Sequence, residues 1–169
     1  MQLPLETQVG DLLRQKGWKL ATAESCTGGL IGHRITDIPG SSDYYLGGVV
    51  AYAYEAKVAV LGVSWETLQK HGAVSRQTVL EMARGARVLL GADIAISVSG
   101  IAGPGGATPD KPVGTTWLGL STAEGEWARV YRFPGDRAQN KAASAQAALR
   151  FVLDALTGSQ PLEGDYRSS

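Results

Sequence analysis

The sequence predicts an α/β sandwich around a mixed, mostly parallel sheet of about five strands, and three observations carry that expectation. Strand-like and helix-like segments alternate along the 169 residues, the pattern of a sheet covered by helices. Apolar residues make up 44% and charged residues 19%, a globular composition on a chain long enough to bury a core. Glycine occurs 22 times, about twice its ordinary frequency, and its clusters fall where strand-like segments end.

Taken in order, Leu5, Val9, Leu12 and Leu13 recur at helical spacing and Gly17 closes that helix. Residues 18–22 alternate as a short strand, and Ser25 to Gly29 leads into a second helix over about 27–36. Pro39 to Asp43 is a turn, Gly48 to Tyr52 a buried strand, and Tyr54 to Leu61 a helix stopped by Gly62. Two further helices are expected over 64–71 and 75–90. Ser64 and Ser75 stand at their N-caps, with Thr67 where a capping box would carry Glu. Asp93 to Ser99 is a strand, and residues 100–112 form a glycine- and proline-rich loop. Strands 114–121 and 127–133 flank a short turn at Glu124-Gly125, a hairpin by spacing. An Ala-rich helix over about 137–156 ends the domain, placed at residues 1–157, and 158–169 are expected to be a frayed polar tail.

The direction of one strand follows from a loop that is just long enough for a crossover but carries no helix. A parallel crossover needs a dozen or more residues, usually helical, and the loop before residue 114 carries no helical pattern. Strand 114–121 is therefore expected to run antiparallel to 93–99, and the hairpin returns 127–133 parallel to the first three strands. On that topology Ser25, Tyr52, Gly100 and Arg137 share the carboxyl edge of the sheet, where open α/β sheets bind ligands.

Composition excludes several function classes. Sixteen basic residues balance sixteen acidic ones with no basic cluster, so no nucleic-acid or membrane partner is expected. One cysteine and two histidines cannot build a disulfide framework or a Cys/His zinc site, and no metal or other cofactor is expected. The amino-terminal stretch lacks a basic region followed by an apolar one, and no apolar run reaches the ~20 residues of a membrane span. A cytoplasmic location is the expectation. Self-association as a dimer or larger homo-oligomer is a further one, although the four Trp and six Tyr cannot be assigned to a surface from sequence.

The chemistry lies in the clusters. Ala23 to Gly29 is a strand-to-helix turn holding a hydroxyl, a thiol and two glycines, able to present backbone N–H groups to a phosphate or an oxyanion. The plainer reading is that Ser25 or Thr27 caps the helix and the glycines pack it on the sheet. A nucleophilic serine needs a base. His33 and His71 sit at no strand exit, whereas Lys57 lies one turn into the helix after the Tyr52 strand; it serves only if burial lowers its pKa. Arg137 could supply a positive neighbour or bind phosphate. Cys26 competes with Ser25 as a thiolate, Ser41 and Ser42 offer turn hydroxyls, and Ser97 and Ser99 read as core. The loop 100–106 reads as a cover over a ligand.

Seven motifs stand in one order: Ala23 to Gly29, Pro39 to Ser42, Tyr52 with Glu55-Ala-Lys57, His71 to Ser75, Ser99 to Pro104, Lys111 to Gly114 and Phe133 to Arg137. Together, from about 5 to 157, they resemble the CinA C-terminal domain family of nicotinamide-nucleotide amidohydrolases. The resemblance implies a three-layer α/β/α sandwich and a Ser–Lys amidase. Such an enzyme hydrolyses the carboxamide of nicotinamide mononucleotide to nicotinate mononucleotide and ammonia, in the recycling of NAD. It implies Ser25 as nucleophile, Lys57 as base, and Tyr52 and Arg137 as assisting groups. Substrate or oxyanion contacts would come from Thr27, Gly28, Gly29, Ser42, Gly100, Ile101, Ala102 and Gly103. Longer members carry an N-terminal nucleotide-hydrolase domain; the stand-alone form is expected here, so that activity is not carried over. The alternative is a non-catalytic nucleotide-binding or sensor module, which needs the glycines and Arg137 but no lysine of lowered pKa.

Overall fold

The structure, a computed structural model, describes residues 1–167. Its strands are β1 (Leu20–Glu24), β2 (Tyr45–Val50), β3 (Ile94–Gly100), β4 (Thr115–Thr122), β5 (Gly125–Arg132) and β6 (Gly164–Tyr166). Its helices are α1 (Leu5–Lys16), α2 (Leu30–Thr36), α3 (Tyr54–Leu61), α4 (Trp65–His71), α5 (Arg76–Leu90) and α6 (Arg137–Thr157). The strands form one sheet in the order β2-β1-β3-β4-β5-β6. β1 pairs parallel with β2 and β3, and β4 runs antiparallel to both β3 and β5, as the loop-length argument requires.

Alternation along the strands divides the core between two faces. Leu20, Ile94, Ile96, Val98, Leu118 and Leu120 point to one face and meet Val9 and Leu13 of α1, Ile31 and Ile35 of α2, and Leu149 and Phe151 of α6. Ala21, Ala23 and Ala95 point to the other, against Leu61, Leu68, Met82 and Ala86. The first face is filled by bulk. The second is built from small residues so that α5 can come close: a Cβ on Gly119 would stand 2.3 Å from the Val79 carbonyl oxygen. The Ser97 hydroxyl donates to that same carbonyl.

Several boundaries differ from expectation for physical reasons. β1 begins two residues later than read, because all five of its residues are buried and the alternation of 18–22 does not mark a strand covered on both faces. β2 likewise starts earlier, at Tyr45, and ends at Val50. α2 begins at Leu30 rather than 27, because Gly28 (φ 60°) and Gly29 (φ 105°) are left-handed and keep Thr27 to Gly29 out of the helix. The sheet has six strands, and the sixth comes from the segment read as a frayed tail: Gly164–Tyr166 pairs parallel with β5. Tyr166 stacks on Tyr131 at 4.7 Å between ring centres, and Arg129 donates to the Pro161 carbonyl. Ser64 and Ser75 cap α4 and α5 as expected. The full capping box belongs to α6, between Asp136 and Gln139.

Candidate active site

Five chain segments converge at the carboxyl edge of the parallel strands. Ser25 follows β1 directly, Tyr52 lies two residues past β2, Lys57 sits in α3, Gly100 ends β3 and Arg137 opens α6. A cavity of about 240 Å³ lies between them, walled by Ser25, Cys26, Tyr52, Lys57 and Arg137 with the loop 100–106 and the turn residues Ala73 and Val74.

The centre of the site is a lysine that folding forces inward. Lys57 is 1% exposed. Its Nζ lies 2.9 Å from Ser25 Oγ, 2.8 Å from the Ala51 carbonyl oxygen and 2.9 Å from that of Tyr52. Burial penalises the ammonium form and lowers its pKa from 10.5 to about 8, with a smaller upward pull from Cys26. The two carbonyls can only accept. A neutral Lys57 that donates one N–H to each therefore directs its lone pair at the Ser25 hydroxyl, the arrangement a general base needs. Cys26 fares oppositely: burial pushes its thiol up to about 11, so it is no thiolate at neutral pH.

Around this pair, the Ser25 amide continues the sheet ladder to the Val98 carbonyl at 3.1 Å. The Cys26 and Thr27 amides have no backbone acceptor among the described residues, and of the two residues only Cys26 lines the cavity. Arg137 reaches across the opening, donating to Tyr52 Oη (3.2 Å) and to the Gly103 carbonyl (2.9 Å). It thereby ties the β2 exit to the loop. Gly100 has no room for a side chain, since a Cβ there would stand 2.6 Å from Thr116 Oγ1.

Not every residue singled out from sequence comes to the cavity. Ser25, Tyr52, Lys57, Gly100, Ile101, Ala102, Gly103 and Arg137 line it. The Thr27 side chain is buried away from it, its hydroxyl donating to Glu24 Oε1 at 2.6 Å; Gly28 and Gly29 shape the turn and do not wall the cavity. Ser42 is exposed in the short turn Ser41–Asp43 ahead of β2. The six residues of β2 span about 20 Å, so Ser42 lies at the opposite edge of the sheet from Ser25. His33 is exposed beside Asp37. Ser99, read as core from the sequence, is buried but lines the cavity; Ala73, Val74 and Glu24 entered the sequence reading only inside longer motifs, since none was singled out for a role there. A larger cavity of about 590 Å³ adjoins Val74 and is lined by Lys70, Arg76, Lys111 and Arg167. Arg76 and Arg167 are engaged by Glu163 and Asp165, and Lys111 by the His71 carbonyl. Ser75 and His71 also line it, but the Ser75 hydroxyl donates to the Gly72 carbonyl and not to a side-chain base.

With this geometry in place, comparison with known proteins assigns the family: residues 2–156 match the CinA C-terminal domain. The chain belongs to the CinA C-terminal domain family. A CinA-like protein of Salinibacter ruber is 54% identical over 145 residues, covering 86% of this chain and 35% of that protein. A CinA-like protein of Chloroherpeton thalassium is 50% identical over 161 residues, covering 93% and 38%. The chain thus spans little more than a third of the length of these curated relatives. Among solved structures, a CinA superfamily protein from Klebsiella pneumoniae superposes with a TM-score of 0.88 at 39% identity, covering 91% of this chain and 96% of that one. The competence/damage inducible protein CihA from Agrobacterium tumefaciens gives 0.84 at 41%, covering 93% and 99%. Among the described residues of this CinA domain no helix is long and apolar enough to cross a membrane.

Proposed function

We propose that this CinA domain is a Ser–Lys amidase that hydrolyses the carboxamide of nicotinamide mononucleotide to nicotinate mononucleotide and ammonia, a step of NAD recycling. The observation that carries the reading is Lys57, buried, 2.9 Å from Ser25 Oγ and lowered to a pKa of about 8. At pH 7 such a lysine is roughly one-tenth neutral, against well under a thousandth at its ordinary value. A binding module has no use for that fraction.

The chemistry follows from the contacts. Neutral Lys57 takes the proton of Ser25 as Oγ bonds to the carboxamide carbon, and the carbonyl π electrons move to oxygen. Backbone N–H groups of the turn that follows β1 are the proposed donors to the developing oxyanion, a donor of this kind being worth ~3 kcal/mol. Lys57 then protonates the departing nitrogen, the C–N bond breaks, and ammonia leaves an acyl ester on Ser25. Water repeats the sequence: Lys57 takes its proton, hydroxide adds to the ester, and Ser25 Oγ leaves with the proton returned. Tyr52 and Arg137, joined across the opening, face the remainder of the nucleotide.

The test is ammonia release from nicotinamide mononucleotide by the chelator-treated protein, with Ser25→Ala and Lys57→Ala in parallel. Each variant is expected to lose most of the rate while remaining folded. Nucleotide bound without turnover by the wild type would refute the amidase and leave a sensor.

A further inference from the structure

Beside the catalytic pair lies a buried acidic side chain that the proposed reaction does not use. Glu24, the residue before Ser25, is 2% exposed and makes no ion pair among the described residues. Its carboxylate accepts the Thr27 hydroxyl at 2.6 Å and the Ile31 amide at 2.9 Å on Oε1, and the Gly32 amide at 3.0 Å on Oε2. α2 has no capping side chain at Gly29, so Glu24 supplies the acceptor for its first turn from outside the helix.

The main chain of Glu24 is tied to the other half of the site. Its carbonyl accepts the Ala51 amide at 2.9 Å, and the Ala51 carbonyl in turn holds Lys57 Nζ. Ser25, one residue on, is fixed by its amide to Val98. Glu24 therefore touches the serine turn through its side chain and the lysine's anchor through its backbone. We infer that Glu24 is a positioning residue whose buried carboxylate sets the turn that presents Ser25 Oγ to Lys57. The inference rests on the Ser–Lys reading above for its catalytic meaning.

Three donors on two oxygens explain why the residue is Glu and not Gln. Glutamine has one acceptor oxygen; its amide nitrogen must face either the Gly32 N–H or the pair formed by Thr27 and Ile31, donor against donor. The turn must then shift by a fraction of an ångström, and displacements of that order at a reacting pair cost orders of magnitude in rate.

The experiment compares wild type, Glu24→Gln and Thr27→Val, the last removing one donor while keeping the carboxylate. Two rates are read: turnover of nicotinamide mononucleotide, and labelling of Ser25 by a small fluorophosphonate, followed by mass spectrometry. For Glu24→Gln we expect kcat to fall roughly 10- to 100-fold with KM within about threefold, and labelling to slow in proportion. Thr27→Val should show a smaller loss of the same kind. A merely structural role would lower the melting temperature while leaving kcat and labelling unchanged well below it, and that result overturns the inference. If Glu24→Gln fails to fold, Thr27→Val decides, an unchanged kcat and labelling rate overturning it. Fast, Glu24-dependent labelling of a protein that does not hydrolyse the nucleotide supports the positioning role and overturns the substrate. No labelling and no turnover by wild type overturns both.

Discussion

Replacing Lys57 by methionine should change how stability depends on pH, in a direction fixed by its burial. Its pKa falls from 10.5 to about 8 on folding, so the folded protein binds this proton more weakly than the unfolded chain does. Below pH 8 the native state bears the whole cost of the buried ammonium; as pH rises the cost fades, and above 10.5 it is gone. Unfolding free energy of the lysine protein, relative to Lys57→Met, should therefore climb between those limits by up to about 3 kcal/mol. The Ala51 and Tyr52 carbonyls lose their donor in the methionine variant, which adds an offset of about 1–3 kcal/mol for each orphaned group. That offset does not vary with pH, so only the slope is diagnostic. Cys26 acts the other way, since its thiol is raised to about 11 on folding, and the comparison belongs in a Cys26→Ala background. Urea unfolding at pH 7, 8, 9 and 10 supplies the curves. A flat difference across that range would mean that Lys57 keeps an ordinary pKa, and would refute the base assignment whatever the geometry.

The other predictions follow from single contacts. kcat/KM for the amidase reaction should rise with pH through an inflection at about 8, the Lys57 value, toward a plateau; a profile flat from pH 6 to 9 contradicts it. Cys26→Ala should keep activity within about threefold, and the wild-type thiol should resist iodoacetamide at pH 8, because it is buried and protonated. Asp154→Ala should cost about 3–5 kcal/mol by urea unfolding, leaving Arg129 buried without its partner at 2.8 Å. Gly119→Ala should cost about 1–3 kcal/mol, since its Cβ would meet the Val79 carbonyl at 2.3 Å and a helix backbone cannot turn aside.

Those residues also show what was legible in the sequence. The strand directions were readable because chain length constrains crossovers: a loop without a helix leads into β4, and β4 is antiparallel. Ser25 and Tyr52 stand just past strand ends and Lys57 and Arg137 in the first turn of the helices that follow strands, and topology gathers the four at one edge. Ser42 misled because a turn rich in glycine and serine looks alike at either edge of a sheet. β6 was hidden because Gly164 to Tyr166 carries no strand pattern of its own; it is held by stacking on Tyr131 and by Arg129, a buried cation whose partners lie in α6 and the tail. Arg129 itself gave no warning, since an arginine within a strand reads as a solvated side chain until the helix that buries it is in place.

The site also explains why a lysine rather than a histidine stands beside Ser25. β2 is an edge strand, and its last ladder bond to β1 is the Ala51 amide on the Glu24 carbonyl. Beyond that point the carbonyls of Ala51 and Tyr52 have no strand to accept from, yet Ala51 is fully buried. Two acceptors close together require a donor with more than one N–H, on a side chain long enough to return from the helix that follows. Lysine at position 57 meets that need, its own amide bonded to Ala53 in the first turn of α3. A neutral imidazole has one N–H and could serve only one of the two carbonyls. Lysine thus serves both carbonyls where the strand ends, and its burial lowers its pKa. The third position around Nζ is left to Ser25, so the contacts that finish the fold at this edge also create the pair on which the proposed amidase reading rests.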